Sequence, residues 1–174
     1  MTLRHLVLLC ALFCAAICIP AAHARVPQQK DYLSAFEADK IRDAETPNER
    51  IKLFLTFADD RLKKFQYELD HPSPNKHEQL LNALMNAYVG CIDDAADLIQ
   101  LGIQKQDNIR QGIDLMATRS KEFLDILQKL SAAGPELELY KDNLDDAIEG
   151  TRDAQNEALE AKKKVAPPPI RRKN

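Results

Sequence analysis

The spacing of apolar residues between positions 31 and 164 constrains the fold of this 174-residue chain more than any other feature. Apolar side chains recur every three or four positions along four long segments, which is the pattern of a helix with one buried face. Proline occurs in this range only where one segment gives way to the next. No run alternates apolar and polar residues as a half-buried strand requires. The sequence therefore predicts an all-α protein.

Capping residues mark where the first two helices begin. Ser34 with Glu37, and Thr46 with Glu49, each fit a capping box, in which the two residues bond each other's backbone N–H groups. Pro47 then occupies the favoured first helical position. The predicted helices run from Ser34 to about Glu45, from Thr46 to about Asp70, from Ser73 or Pro74 to a turn within Gly102–Asp107, from about Asn108 to Ala132, and from Pro135 to about Lys164.

Each long segment presents a set of apolar residues on one predicted face. These sets fall at three-and-four spacing, so we expect them to meet in a shared core. The residues predicted to face this core are Ile51, Phe54, Leu55, Ala58, Leu62, Phe65, Leu69, Leu80, Leu81, Leu84, Tyr88, Cys91, Ala95, Leu98, Ile109, Ile113, Met116, Phe123, Leu127, Leu130, Leu137, Tyr140, Leu144, Ile148, Thr151 and Ala158.

The lengths of the four long segments favour one architecture. Helices of about 25 to 30 residues are roughly 36 to 45 Å long, and matched helices joined by short turns pack antiparallel. We therefore predict an up-down four-helix bundle with a short extra N-terminal helix laid across one end. The alternative is a longer helical hairpin completed by a second copy, so a monomer and a homodimer both stay open.

The first residues resemble an export signal. A positive start at residues 4–5 precedes an apolar run over residues 6–19, and Ala22 and Ala24 supply the small residues that signal peptidase requires. A run of 14 residues is shorter than the roughly 20 needed to cross a bilayer. We therefore predict cleavage after residue 24, export to the periplasm or the medium, and no transmembrane anchor.

This cleavage divides the chain into four parts. Residues 1–24 form the signal peptide and residues 25–33 a linker. Residues 34–164 form the helical bundle domain, and residues 165–174 form a disordered, proline-rich basic tail, since three consecutive prolines exclude helix there.

Three of the four cysteines fall within the predicted signal peptide. Bulky Phe13 and Ile17 precede Cys14 and Cys18, which disfavours lipid attachment, and no CxxC or CxxCH spacing indicates a metal or covalent haem. Only Cys91 then remains in the exported chain. We expect it to be buried and unreactive rather than to link two chains.

Charge is unevenly distributed in the predicted exported chain. It holds 23 basic and 27 acidic residues, a net charge of −4. Residues 25–161 hold only 17 of the basic residues, so this body carries −10, which argues against nucleic-acid binding. The other six cations lie at the C-terminal end: Lys162, Lys163, Lys164, Arg171, Arg172 and Lys173.

Acidic residues recur every three or four positions on the last predicted helix. Like charges at this spacing weaken a helix by a few tenths of a kcal/mol per pair. A solvated face is the common meaning of such a run, and the alternatives are a docking face for a cationic partner or a diffuse site for divalent cations. The residues are Glu138, Asp142, Asp146, Glu149, Asp153, Glu157 and Glu160.

The basic tail also has more than one interpretation. It can be a solubilising end, a tether to anionic lipid or another anionic envelope polymer, or a segment that folds back on the acidic helix.

Metal binding is predicted only at one turn. Glu68 and His71 have the Glu-x-x-His spacing of a di-iron site, but Pro74 stands where a second glutamate would precede His77. Since His71 and His77 flank the same turn, they can together hold a surface zinc or copper ion with a carboxylate such as Glu78.

No motif in the chain indicates catalysis. There is no glycine-rich phosphate loop and no GxSxG, and no histidine accompanies Cys91 in a recognisable arrangement. The sequence therefore predicts a non-enzymatic exported protein without a cofactor, acting as a binding, scaffold or adaptor protein of the envelope. The alternative is a carrier of a small ligand or metal, using the bundle interior or the His71/His77 turn.

Overall fold

The computed structural model describes residues 31–165, which form five α-helices and no strand, so the prediction of an all-α fold is confirmed. None of the helices in this range is both long and apolar enough to span a bilayer. The predicted signal peptide, most of the linker and the tail after residue 165 lie outside the described residues. The helices are α1 (Ala35–Asp43), α2 (Pro47–Asp70), α3 (His77–Lys105), α4 (Arg110–Ala133) and α5 (Lys141–Lys164), with a 3-10 turn at Leu137–Leu139 before α5.

Both predicted capping boxes are present. The hydroxyl of Ser34 accepts the backbone N–H of Glu37, whose carboxylate in turn accepts the N–H of Ser34 at 2.9 Å. Thr46 and Glu49 form the same reciprocal pair at the start of α2. Because these bonds are local, residue identity and spacing are enough to predict them.

Helix α3 begins at His77, three or four residues later than predicted. The backbone N–H and the hydroxyl of Ser73 both donate to the carboxylate of Glu68, at 2.7 and 3.0 Å. Ser73 is therefore bonded back to α2 and does not cap α3. The intervening residues, including Pro74, form a turn.

The turn between α3 and α4 falls at residues 106–109, at the weak boundary that the sequence predicts. Gln106 adopts a left-handed backbone with φ of 59°. Its N–H bonds the carbonyl of Ile103, and the N–H of Asp107 bonds the carbonyl of Gly102. These two bonds are those of a Schellman motif, which usually has glycine at the left-handed position.

Packing is most extensive within two pairs of consecutive helices, α2 with α3 and α4 with α5. The pairs meet through α3 against α5 and α2 against α4, whereas the consecutive helices α3 and α4 contact each other little. Asn48 at the start of α2 accepts the N–H of Gly112 at the start of α4, at 2.7 Å. A Cβ atom on Gly112 would lie 2.5 Å from the Cδ1 atom of Ile51, so these two helices approach closely there.

The four long helices share one apolar core. The predicted core residues of α4 are all buried, and those of α2 are buried apart from the half-buried Leu69. On α3, the predicted residues Leu80, Leu84 and Leu98 are only half-buried. Residues Met85, Ile92 and Ile99 of the same helix are buried instead.

The short helix α1 lies against the side of α2, not across one end of the long helices as predicted. Glu37 in its first turn reaches Arg61, in the middle of α2, with a closest N–O distance of 2.7 Å. At its other end, Arg50 of α2 donates two hydrogen bonds to the carbonyl of Ala44. These two contacts fix α1 along the first half of α2.

Candidate functional site

The turn between α2 and α3 carries a cluster of hydrogen-bonded ionisable residues. Besides Ser73, the carboxylate of Glu68 contacts His77 Nδ1 at 2.9 Å. The other ring nitrogen of His77, Nε2, lies 2.8 Å from a carboxylate oxygen of Glu136, in the turn between α4 and α5. His77 therefore links the two helix pairs at this end of the molecule.

These contacts favour the charged forms of both His77 and Glu68. The hydrogen bond to Glu68 is the main influence that raises the pKa of His77, and Glu136 raises it further. The same bond, followed by the N–H of Ser73, lowers the pKa of Glu68. Both ring nitrogens face carboxylate oxygens, which is the arrangement that a doubly protonated imidazolium satisfies.

Glu136 reaches His77 from an unusual backbone conformation. Its φ is 51°, in the left-handed region that residues other than glycine seldom adopt. It follows Pro135, whose carbonyl accepts the hydroxyl of Tyr140 at 2.9 Å. The turn that replaces the predicted helix start at Pro135 thus presents Glu136 to α3.

The structure places the two predicted metal ligands in different surroundings. His71 is exposed, its ring stacks on Tyr67 with the ring centres 4.4 Å apart, and its Nδ1 lies 3.2 Å from the carbonyl of Tyr67. His77 is held between Glu68 and Glu136 instead. Within residues 31–165, no three or more His, Cys, Asp or Glu side chains are grouped to hold a metal ion. The His71/His77 metal site stays a prediction.

The acidic residues of α5 and of the turn before it lie on the exposed surface. We call the six carboxylates that are predicted to bind a partner the acidic stripe. None of them forms an ion pair with another residue in the range 31–165, and Glu157 accepts a hydrogen bond from Gln100 at 3.2 Å. The acidic stripe consists of Glu138, Asp142, Asp146, Glu149, Asp153 and Glu157, all of which are exposed.

The cations at the end of α5 make local and cross-helix contacts. Lys162 reaches Asp114 of α4 at 2.7 Å, and Lys163 pairs with Glu160 one turn earlier at 2.5 Å. Lys164 is exposed in the last turn, where positive charge is favourable near the helix carbonyls. The other predicted cations of the tail, Arg171, Arg172 and Lys173, lie outside the described residues.

Buried side chains from all four long helices pack together between them. Cys91 is fully buried, as predicted, so its thiol cannot link two folded chains. Tyr88 of α3 and Thr151 of α5 share a buried hydrogen bond of 2.7 Å, and the hydroxyl of Thr151 donates to the carbonyl of Ala147. Burial raises the pKa of Tyr88 well above its usual range. The prediction of a carrier that uses the interior gains no support from this packing.

Sequence reasoning did not find the buried ion pair beneath α1. Arg61 is 7% exposed and bonds both carboxylate oxygens of Glu37, the carboxylate of Asp60 and the carbonyl of Tyr32. Burial alone would raise the pKa of Glu37, but the bonds from Arg61 and Ser34 prevail and lower it to about 2. The sequence gives one sign of this ion pair. Arg61 is a cation, yet it occupies a position at which the three-and-four spacing of α2 predicts an apolar residue.

Comparison of the sequence with known protein families, with curated proteins and with solved structures finds no match. The evidence for the candidate sites therefore comes from the sequence and structure of this chain alone.

Proposed function

We propose that the protein is an exported, non-enzymatic helical bundle that acts as a binding, scaffold or adaptor protein of the cell envelope. In this proposal the four long helices form an up-down bundle of two helical hairpins, and the residues after 165 form a disordered basic tail. The packing within α2–α3 and within α4–α5 supports the two hairpins.

The acidic stripe is the observation that carries this proposal. Its six carboxylates are exposed on one helix and the turn before it, and no ion pair within residues 31–165 neutralises them. Clustered like charge costs helix stability, so the stripe does not stabilise α5. A row of carboxylates attracts a cationic surface over several ångströms and speeds its association. We infer that the partner is an envelope protein with a basic face.

Cross-linking of carboxylates to amines tests this proposal. The purified protein is incubated with the envelope fraction of its host and treated with a zero-length carboxyl-to-amine reagent. A stripe variant carries Asp142→Asn, Asp146→Asn and Asp153→Asn. We expect one main cross-linked partner with the native chain, joined through stripe residues, and at least a tenfold lower yield with the stripe variant.

A matched control separates the position of the charges from their number. The control variant removes the same number of negative charges from exposed positions on α1, α2 and α4, through Asp43→Asn, Asp70→Asn and Asp125→Asn. This control variant should keep the native cross-link yield. Equal losses in both variants, or cross-links mapped away from α5, would contradict the proposal.

A further inference from the structure

The turn between α3 and α4 lacks the helix-breaking residues that the other two turns between long helices have. Pro72 and Pro74 separate α2 from α3, and Gly134 and Pro135 separate α4 from α5. Residues 106–109 include neither proline nor glycine. Proline strongly disfavours a helix interior, and glycine disfavours it to a lesser degree. A continuous helix through this turn therefore costs less than one through either of the other two.

The buried positions of α3 and α4 follow one spacing that continues through the turn. Steps of four and three alternate on both sides, and Gln106 lies four positions after Gly102 and three before Ile109. This spacing is that of one helix with a single continuous apolar face. A straight helix through the turn would therefore keep both buried faces on the same side. The buried residues of this series nearest the turn are Ala95, Ile99, Gly102, Ile109, Ile113 and Met116.

Gln106 begins the turn in a strained backbone conformation. Its φ is 59°, in the left-handed region that residues other than glycine seldom adopt. There the Cβ atom lies too close to the following carbonyl oxygen, a contact that the right-handed helix avoids. Straightening the turn into a helix would therefore relieve the strain at Gln106.

Asn48 of α2 separates two backbone groups that would pair with each other in a continuous helix. Its side chain donates to the carbonyl of Asn108 at 2.6 Å and accepts the N–H of Gly112 at 2.7 Å. Residues 108 and 112 are four positions apart, so in an unbroken α-helix this N–H would donate to this carbonyl directly. Asn48 therefore stabilises the turned form by binding both groups.

The contacts between the α2–α3 pair and the α4–α5 pair do not require the two pairs to belong to one chain. Tyr88 of α3 and Thr151 of α5 share a hydrogen bond of 2.7 Å, and Asp59 of α2 bonds Arg119 of α4 at 2.8 Å. Helices α3 and α4, which the turn joins, contact each other little. The α4–α5 pair of a second copy can therefore make the same contacts.

We propose that two copies of this chain form a dimer by exchanging their α4–α5 pairs, with residues 106–109 straightened so that α3 and α4 become one helix. Exchange of identical elements is a general route to a dimer that keeps the contacts of the monomer. It relieves Gln106, whereas the monomer keeps the bonds to Asn48 and avoids the entropy cost of association. The chain concentration therefore sets the balance. This dimer does not depend on whether the acidic stripe binds a partner.

Energy transfer between two dyes on one chain tests the exchange. Exposed Gln79 near the start of α3 and exposed Gln128 near the end of α4 lie at the same end of the folded monomer. In a continuous helix they would be about 74 Å apart at 1.5 Å per residue. The full exported chain with Gln79→Cys and Gln128→Cys is labelled with a donor and an acceptor while folded, since Cys91 is then buried.

The labelled chain is refolded from urea at millimolar concentration with an excess of unlabelled chain, and monomer and dimer are separated by size. The excess ensures that each dimer holds at most one labelled chain, so only the distance within that chain is measured. We expect high transfer in the monomer and low transfer in the dimer.

Three variants, measured by light scattering after refolding at a series of concentrations, assign the exchange to this turn. Gln106→Gly relieves the strain of the turned form and weakens the continuous helix, so it should raise the dissociation constant of the dimer at least about tenfold. Asn48→Ala removes two bonds of the turned form and should lower that constant at least about fivefold. Gln104→Gly is the matched control. It places glycine at an exposed position that is helical in both forms, so it should leave the constant unchanged.

Several results would overturn the proposal. One is the absence of a dimer after refolding at millimolar concentration. Another is a dimer that keeps the energy transfer of the monomer, because such a dimer joins two copies that have not exchanged helices. A dissociation constant that Gln106→Gly leaves unchanged, or that Gln104→Gly raises equally, would show that residues 106–109 do not straighten in the dimer.

Discussion

Helices α2 and α5 are both 24 residues long and both line the core, but they do so with side chains of very different size. The buried face of α2 carries three phenylalanines and three larger aliphatic residues. That of α5 carries four alanines, Thr151 and a single leucine, Leu144. Helix α2 therefore contributes large side chains to the core, whereas α5 covers the core with small ones.

The two helices also differ in how their charged residues are used. On α2, Arg61 holds Glu37 of α1, Asp59 bonds Arg119 of α4 at 2.8 Å, and Glu68 binds the turn that follows. In the acidic stripe, Glu157 accepts a hydrogen bond from Gln100 of α3, and the other five residues form no ion pair within residues 31–165. Helix α2 thus uses charged side chains to hold neighbouring elements in place, whereas most of the acidic stripe makes no such contact within residues 31–165 and carries our proposal of a partner.

The largest effect on stability is expected when an aromatic ring is removed from the buried face of α2. Phe65 is fully buried and contacts Tyr140 edge-on, with ring centres 4.9 Å apart. Phe65→Ala should lower the free energy of unfolding by about 3 to 5 kcal/mol, measured by urea denaturation. Tyr67→Ala, at a 64% exposed position on the same helix, is the control and should cost under about 1 kcal/mol. Equal losses in the two variants would show that α2 does not fill the core.

The next largest effect on stability is expected from enlarging one of the small buried side chains of α5. Ala158 is fully buried, so Ala158→Leu forces extra methyl groups between packed helices. We expect it to lower the free energy of unfolding by about 1 to 3 kcal/mol. Asn156→Leu adds a leucine at an exposed position of the same helix and should change stability by less than about 0.5 kcal/mol. A stabilised Ala158→Leu protein would mean that this face is loosely packed.

A smaller effect is expected in the pH dependence of stability, through His77 and Glu68 near the end of α2. The pKa of His77 is raised from 6.5, so its contribution is complete below that value and is lost as pH rises through the folded pKa. The pKa of Glu68 is lowered from 4.5, so its contribution is present above that value and is lost as pH falls through the folded pKa. Both contributions are complete between about pH 4.5 and 6.5.

His77→Gln tests this dependence directly. Its loss of stability, measured by urea denaturation, should be larger at pH 5.5 than at pH 8.5. His71→Gln, on the same turn but exposed and stacked on Tyr67, is the control and should not reproduce the difference between the two pH values. If His77→Gln lowers stability equally at both pH values, His77 does not contribute to stability through its charge.

The smallest effect is expected on the outer surface of α5. Asp146→Asn removes one carboxylate from a row of like charges and should stabilise the protein slightly, by at most about 0.5 kcal/mol, in a thermal unfolding experiment. A clear destabilisation would show that the acidic stripe does contribute to the fold.

Local features of the fold were predictable from the sequence. The capping boxes at Ser34 and Thr46 form because both partners lie within one turn. The core residues of α4 follow from helical spacing alone. In the same way, the three-and-four spacing on α5 places Asp142 and its neighbours opposite the buried residues, which explains their exposure.

Features that depend on distant parts of the chain were not predictable. Glu68 has the spacing to pair with His71, yet it bonds Ser73 and His77 because the intervening turn folds back on α2. Glu136 reaches His77 across 59 positions of sequence. Arg61 and Arg50 hold α1 along α2 through contacts that no local pattern reveals.

The most direct test of the account compares stability and partner binding in one protein. The stripe variant with asparagine at positions 142, 146 and 153 is measured for its thermal midpoint and for its cross-link yield on the same sample. We expect an unchanged or slightly higher midpoint with at least a tenfold loss of cross-linked partner. A lowered midpoint, or an unchanged yield, would contradict the claim that α5 keeps its acidic stripe for a partner.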